Sequence, residues 1–440
     1  MKAKASLWSI ITALLVFSSI IVNPVMAKAD SIDVEAEAAI LVDAETGKVL
    51  YGKNQDEMLG IASMTKMMTE YLVLEAIDEG EIDWDTTTQI SDFPYSISAD
   101  PAFSGIGLIQ DKDYTVKELY EAMAIYSDNA TTIALAELIA GSEGDFVQMM
   151  NQKAEELGLT NYKFVNSTGL SNEHLGENYP EGTQPDEENL MSAESTALLA
   201  YRLVNDFPEA LDYSSMLTSE LDDQLMINWN WMLPWDNANF KQYYSEGVDG
   251  LKTGYTELAG YCFTGTAERN GKRLISVIMN TDVDGIESKR EKEGKRFKQT
   301  QKLLDYGYGK FETKELYPSG HQIEGESLLP VSKGKQDEVE IVSDQPISSI
   351  IKSGDEENYQ VTYNIDESLL DEDGQLVAPI EKGQKVGTME LVYDGDQDYG
   401  YILEQENQAV DVVTTDAVEK KNWFMLFLSS IGNFFGNLFG

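Results

Sequence analysis

Cysteine is almost missing from this chain: Cys262 stands alone among 440 residues. A single thiol excludes an intrachain disulfide framework and a thiolate metal cluster. Histidine is nearly as scarce, with only His174 and His321. Neither lies in a catalytic motif, and so small a set of strong ligands leaves little from which to build a zinc site. No metal and no other cofactor is therefore expected. Positive charge is in short supply as well: 32 Lys plus Arg face 77 Asp plus Glu, a formal net charge of −45. Such a surface repels phosphate backbones, which excludes nucleic acid as a partner, and suits saline or alkaline surroundings. At 42% hydrophobic residues the chain is too polar for a multi-span membrane protein, yet long enough for two or three cored domains.

Membrane signals are confined to the two ends. Lys2 and Lys4 precede an apolar run from Leu7 to Val22, followed by Asn23-Pro24 and the small-residue site Val25-Met26-Ala27. The run is shorter than the ~20 residues of a spanning helix, so residues 1–29 read as a secretory signal cleaved after Ala27 or Ala29, with an uncleaved anchor as the alternative. At the other end, 418–440 reads as an amphipathic membrane-anchor helix. Behind Lys420 and Lys421, the residues Trp423, Phe424, Phe427, Leu428, Ile431, Phe434, Phe435 and Leu438 fall on one helical face. That pattern suits a helix lying in the membrane interface; the alternative is a helix docked on a domain. The expected location is outside the cell, on the outer face of the cytoplasmic membrane, with the membrane surface as a partner through the C-terminal helix.

Between the ends the chain alternates strand and helix signals. Ala39–Val42 and Lys48–Tyr51 flank Asp43–Gly47 and read as a hairpin. Helical periodicity runs from Ser63 to Glu79 and stops at Gly80; further helices are expected at Val116–Tyr126, Ala130–Ala140, Asp145–Leu157 and Ser192–Asn205. Strands return at Leu251–Thr256, Tyr261–Glu268 and Lys272–Met279. The last two are joined by Asn270-Gly271, a type I′ turn signal. All three should pair with the first hairpin in one antiparallel sheet. From Leu316 onward short alternating segments predict a small β-sandwich of roughly ninety residues. The fold class is thus α/β (α+β): a helical region with an antiparallel sheet over 32–314, a β-sandwich over 316–408, and the C-terminal amphipathic helix.

Three short motifs carry the chemistry. Ser63-Met64-Thr65-Lys66 opens the first long helix, so Ser63 and Lys66 share one face. A neutral lysine amine can take the serine proton, and burial beside another cation favours the neutral form. Helix N-terminal N–H groups can receive an oxyanion. Ser332–Lys335 and Ser349–Lys352 repeat the spacing, so the pattern alone is weak. Only Ser63 is followed by Ser127-Asp128-Asn129 and then by Lys252-Thr253-Gly254, on an expected helix-end turn and an edge strand. A cation and a hydroxyl at the third motif can hold a substrate carboxylate, and Gly254 permits close backbone approach.

With Phe164-x-Asn166-x-x-Gly169-Leu170, these motifs resemble the penicillin-binding, serine-type D-alanyl-D-alanine carboxypeptidases. Ser63–Glu70 and Cys262–Gly271 resemble a vegetative Bacillus member of that family closely, and the likeness covers nearly the whole mature chain. It implies a penicillin-binding/β-lactamase-like transpeptidase fold. It also implies removal of the terminal D-alanine from peptidoglycan stem pentapeptides through a Ser63 acyl-enzyme, and acylation by β-lactam inhibitors. By this resemblance Lys66 is the base and Ser127 relays a proton to the leaving amine. Asn129 orients the substrate amide and Lys66, while Lys252 and Thr253 bind the terminal carboxylate. The N–H groups of Ser63 and Tyr255 form the oxyanion hole. Asp128 and Tyr255 depart from relatives that have glycine and histidine there.

Two other readings are open to the motifs. A β-lactamase would place a water-activating glutamate between the second and third motifs, where Glu187-Glu188-Asn189-Leu190-Met191 is only a faint match and reads better as a solvated lead-in to a helix capped by Ser192. A non-catalytic penicillin-sensing or wall-binding protein would typically have lost one of the motifs. Among the other residues, Met64, Met67 and Met68 read as core filling, and Cys262 as a buried small hydrophobe. Trp229, Trp231 and Trp235 suit a groove lining or packing equally.

Overall fold

The computed structural model describes residues 32–403 and 409–422. The signal segment 1–29 and the helical stripe after residue 422 lie outside the described residues. The first hairpin forms from Ala36–Asp43 (β1) and Val49–Lys53 (β2), and three strands return late in the chain as Val248–Thr256 (β3), Gly260–Arg269 (β4) and Lys272–Thr281 (β5). They assemble in the order β3-β4-β5-β1-β2, antiparallel throughout. The β4–β5 turn has Asn270 and Gly271 at φ 54° and 78°, the left-handed pair that a type I′ turn requires. That turn and the expected antiparallel pairing are both present.

Both faces of this sheet are covered, which explains why β1 is apolar at nearly every position. Ala38, Ile40 and Val42 join a core built with the helical region, including Ala197 and Leu199 of helix Ala193–Asp206. Alternate residues face a 22-residue helix, Lys289–Lys310, where Gly307 sits so close that an added Cβ would meet Leu41 at 2.7 Å and Leu274 at 2.6 Å. No local sequence pattern predicts that long helix. Its first five residues are all Lys, Arg or Glu, and its buried stripe (Gly294, Phe297, Thr300, Leu304, Gly307) includes two glycines that do not register as apolar.

Helix α1 (Lys66–Asp78) runs through the middle of the helical region and is buried on almost every side. Around it lie α2 (Val116–Tyr126), α3 (Asn129–Ala140), α4 (Glu143–Glu156) and α5 (Ala193–Asp206). Thr115 and Glu118 form a reciprocal capping box that starts α2, and Ser192 caps α5 by accepting from Ser195 N–H. One correction concerns Ser63. It does not open the α-helix but lies in a 3₁₀ turn, Ala62–Thr65, and the α-helix begins at Lys66. Packing decides this, because strand β3 and the loop at Gly169 press on the turn from two sides.

The β-rich part begins at Phe311, directly after the long helix. It comprises a two-stranded sheet (Phe311–Tyr317 with Ile347–Lys352) and a six-stranded sheet. It also runs past residue 408, because Val410–Thr414 pairs with both Glu338–Ser343 and Lys385–Tyr393. The segment starting at 418 was read as helical; Val418 and Lys420 instead bridge to Ile380 and Gly334, since Val418 completes the domain core. The β1–β2 turn meets this domain directly: Lys48 Nζ donates to Tyr359 Oη at 2.8 Å, and Ile402 N–H to Gly47 O at 2.9 Å.

The sheet's outer covering supplies the first test. Phe297 is fully buried against Phe263, Trp231 and Tyr243. Phe297→Ala should cost about 3–5 kcal/mol in urea unfolding; a loss under about 1 kcal/mol would mean that the long helix is only loosely held.

Candidate active site

The turn bearing Ser63 is squeezed between two glycines. A Cβ on Gly169 would stand 1.9 Å from Ala62 O and 2.9 Å from Ser63 N; one on Gly254 would stand 2.6 Å from Ile61 O. Gly254 therefore lets strand β3 approach the turn itself. Ala62 takes φ 46°, a left-handed value that a non-glycine residue holds only when its surroundings force it.

Lys66 follows at the first position of α1 with no exposed surface. Its Nζ lies 3.2 Å from Ser63 Oγ, 2.8 Å from Asn129 Oδ1 and 2.6 Å from Thr168 O. Burial, followed by the charge of Lys252, holds the Lys66 amine well below the usual lysine range. Both carbonyl partners are firmly placed. Asn129 Nδ2 donates to Ser104 O at 3.0 Å, which turns Oδ1 toward Lys66. Thr168 is held by Asn166 Oδ1, which accepts from Thr168 N–H and from Gly169 N–H. The adjoining Ser167 donates through its N–H and its hydroxyl to the buried Glu143 carboxyl. The Phe164–Leu170 motif is thus a backbone cradle for the lysine.

Ser127 ends α2 in the left-handed conformation, φ 61°. Its hydroxyl is buried without a hydrogen-bond partner among the described residues. Asp128 caps α3 by accepting from Thr131 N–H at 2.8 Å and also accepts from Ile106 N–H at 2.6 Å. Burial pushes its carboxyl above the usual range, against those bonds. Asp128 thereby ties the Ser104–Ile106 loop to the turn.

Lys252 and Thr253 lie on edge strand β3, both buried. Burial lowers Lys252 to about 8, opposed chiefly by the charge of Glu70. Glu70, one turn along α1 from Lys66, is itself raised by burial to about 7 against the pull of Lys252 and Lys66. A cavity of about 220 Å³ opens over these groups; its lining includes Ser63, Ser104, Ser127, Thr253, Gly254 and Tyr255. Lys66, Asn129 and Lys252 stand behind that lining rather than in it. All eight residues singled out from the sequence therefore converge on one site, in two layers. Among the described residues no group of three His, Cys, Asp or Glu side chains is placed to hold a metal ion.

Four contributors were not legible in the motifs. Glu70, Glu143 and Arg296 are buried charges; Glu70 alone had a signal, its four-residue offset from Lys66. Arg296 lines the cavity and donates to Gly254 O at 3.0 Å. Asn189, read as part of a solvated acidic run, is buried and bonded to Thr65 Oγ1 and to the Val165 and Asn166 N–H groups. The tryptophan cluster divides: Trp231 packs among Phe240, Tyr243 and Phe297, whereas Trp229 lines the cavity. Cys262 is fully buried, and burial pushes its thiol up to about 11.

Residues 22–283 match the family model described as D-alanyl-D-alanine carboxypeptidase, and residues 311–420 match the C-terminal domain of penicillin-binding protein 5. The D-alanyl-D-alanine carboxypeptidase DacF of Bacillus subtilis is 35% identical over 363 residues, 82% of each chain. Among solved structures, the peptidoglycan synthesis regulatory factor PBP3 of Streptococcus pneumoniae superposes with a TM-score of 0.69 at 35% identity, covering 88% of this chain and all of that one. Penicillin-binding protein D2 of Listeria monocytogenes, in its cefotaxime-bound form, is 32% identical with a TM-score of 0.52, covering 63% of this chain and 99% of its own.

The coupling of Lys252 to Glu70 is directly measurable. In lysine-labelled protein the Lys252 resonance should titrate near pH 8. Glu70→Gln removes the charge that supports the ammonium, so the midpoint should fall. A midpoint at or above the free-lysine value, about 10.4, would show that Lys252 is not held as described.

Proposed function

The chain belongs to the D-alanyl-D-alanine carboxypeptidase family and is a serine-type D-Ala-D-Ala carboxypeptidase; from that premise we propose how its own residues perform the reaction. One observation carries the assignment, the three-way contact of Lys66 Nζ. A neutral amine has two hydrogens and one lone pair. Two carbonyl oxygens, at Asn129 and Thr168, can only accept, so they take the two hydrogens and leave the lone pair facing Ser63 Oγ. A general base is thereby preset in direction, and burial holds its amine well below the usual lysine range.

Ser63 Oγ attacks the carbonyl between the two terminal D-alanines of a peptidoglycan stem peptide, and its proton passes to Lys66 as the O–C bond forms. The oxyanion is received by the Ser63 and Tyr255 N–H groups, both residues bordering the cavity. When the C–N bond breaks, the departing nitrogen takes the Ser127 proton, which the Lys66 ammonium replaces. Water then hydrolyses the ester with Lys66 again as base. Lys252 and Thr253 hold the terminal carboxylate, Lys252 as charge behind the wall and Thr253 as hydroxyl in it. Penicillins present a strained amide to the same serine and should acylate it. The β-lactamase reading gains nothing from the acidic run: Glu187 pairs with Lys163, and Glu188 accepts from Thr256.

We also place the protein on the outer face of the cytoplasmic membrane, supported by the sequence patterns in 1–29 and after Lys421.

Release of D-alanine from diacetyl-L-Lys-D-Ala-D-Ala should fall at least about a thousandfold in Ser63→Ala, with covalent penicillin labelling abolished. Release that persisted would remove Ser63 from the mechanism. The profile of kcat/KM against pH should decline above about pH 8 as Lys252 loses its charge. In fractionated cells the full chain should sediment with membranes and a chain ending at Lys421 should be released; equal sedimentation of both would refute the tail's anchoring role.

A further inference from the structure

Ser127 is the group whose placement is hardest to explain from its own contacts. Its hydroxyl has no hydrogen-bond partner among the described residues, so the direction of that hydroxyl depends on the backbone beneath it. The backbone is in the left-handed region, φ 61°, which costs a non-glycine residue about 1–2 kcal/mol. The rotation φ is measured from the preceding peptide plane, which is formed by Tyr126 C=O and Ser127 N–H. Whatever clamps that plane sets where the hydroxyl stands.

The plane is clamped at both ends. Ser127 N–H donates to Met123 O at 3.1 Å, within the last turn of α2. Tyr126 C=O belongs to the last residue of α2, one of the carbonyls that a helix cannot satisfy from within. It accepts from the Trp229 indole N–H at 2.9 Å. The Trp229 ring also stands tilted beside the Tyr126 ring, centroids 5.9 Å apart and 31° between planes. Trp229 is itself fixed at its base: Asn228, buried, donates to Ser214 O and Met216 O, and its Oδ1 accepts from Asn230 N–H. Yet Trp229 keeps 39% of its surface exposed and borders the cavity beside Ser127. An indole held this firmly while so exposed is not there to fill core.

We propose that Trp229 is a positioning residue for proton transfer to the leaving amine, its indole N–H holding the Tyr126–Ser127 peptide so that the Ser127 hydroxyl faces the departing nitrogen. The inference rests on the reading of Ser127 as that proton's donor. It locates the specificity of the effect in one step, because an amide nitrogen cannot depart without a proton, whereas an ester oxygen departs with far less help. The proton moves from Ser127 Oγ to the nitrogen as the C–N bond breaks, and Ser127 regains one from the Lys66 ammonium.

The test compares diacetyl-L-Lys-D-Ala-D-Ala with the ester diacetyl-L-Lys-D-Ala-D-lactate, in the wild type, Trp229→Phe and Ser127→Ala. It reads kcat/KM, which covers the steps up to acylation. Trp229→Phe keeps an aromatic wall and loses only the N–H and part of the ring. Position 229 carrying 3-benzothienylalanine keeps the whole bicycle and lacks the N–H. Penicillin titration counts competent sites in each protein.

Loss of one directing hydrogen bond should lower amide turnover about fivefold to tenfold and ester turnover less than about twofold, in both position-229 variants. Ser127→Ala should discriminate in the same sense but more strongly, by roughly a hundredfold. If amide and ester fell together, or neither fell, in the position-229 variants while Ser127→Ala still discriminated, Trp229 would be a wall residue and the proposal would be wrong. If Ser127→Ala itself failed to discriminate, the donor reading of Ser127 would fall, and the proposal with it.

Discussion

Keeping a lysine charged with no exposed surface costs several kcal/mol unless a counter-charge is at hand. At Lys66 the protein supplies carbonyl dipoles, and among the described residues no carboxylate lies within bonding reach. Asn129 Oδ1 and Thr168 O satisfy a neutral amine, and its remaining valence faces Ser63. Much of the surrounding architecture follows from holding those two oxygens still. Ser104 orients Asn129, Asp128 anchors the Ser104 loop, Asn166 and Glu143 hold the Ser167–Thr168 backbone, and Asn189 joins Asn166 to the Ser63 turn. A buried helix, α1, then fixes Lys66 itself.

Charge is arranged in depth. Lys252 lies close enough to Lys66 to disfavour its ammonium, and Glu70 offsets the burial of Lys252 more than any other charge. In the proposed reaction the two lysines take opposite tasks, Lys66 as base and Lys252 as the cation that attracts a carboxylate. Separation of titration behaviour by environment is how a single pocket carries both roles near neutral pH. Backbone strain is concentrated in the same place: Ala62 and Ser127 both adopt left-handed conformations. Each is held by neighbours on several sides, and each lies at a hydroxyl that borders the cavity, Ser63 directly after Ala62 and Ser127 on the strained residue itself.

The sequence was informative where a local pattern coincides with a physical requirement. Strand alternation, the Asn270-Gly271 turn and the capping residue before α5 all act over a few residues, and those elements appear within a few positions of expectation. Elements set by distant contacts were less legible. Nothing local marks Lys289–Lys310 as a sheet-covering helix, because two of its buried positions are glycines whose value lies in letting Leu41, Leu274 and Tyr243 approach. Periodicity starts the helix at Ser63, three residues before the α-helix begins at Lys66, since the pressure of Gly169 and Gly254 on the Ser63 turn comes from segments more than a hundred residues away. Val418 looked like the start of a tail until the β-domain core claimed it.

The three motifs by themselves picked out the hydroxyls, amines and amide that the fold gathers at one cavity, because the proposed reaction needs those functional groups. They also set the reaction class, since a serine with a lysine base and a carboxylate-binding cation supports acyl transfer. Only the tertiary structure decided which groups line the cavity and which stand behind it, how burial lowers the Lys66 amine, and that Glu70, Glu143, Asn189 and Trp229 gather around the same site. The physical reason is range. A motif encodes what a side chain can do, but protonation and direction are set by burial and by partners brought together from distant parts of the chain.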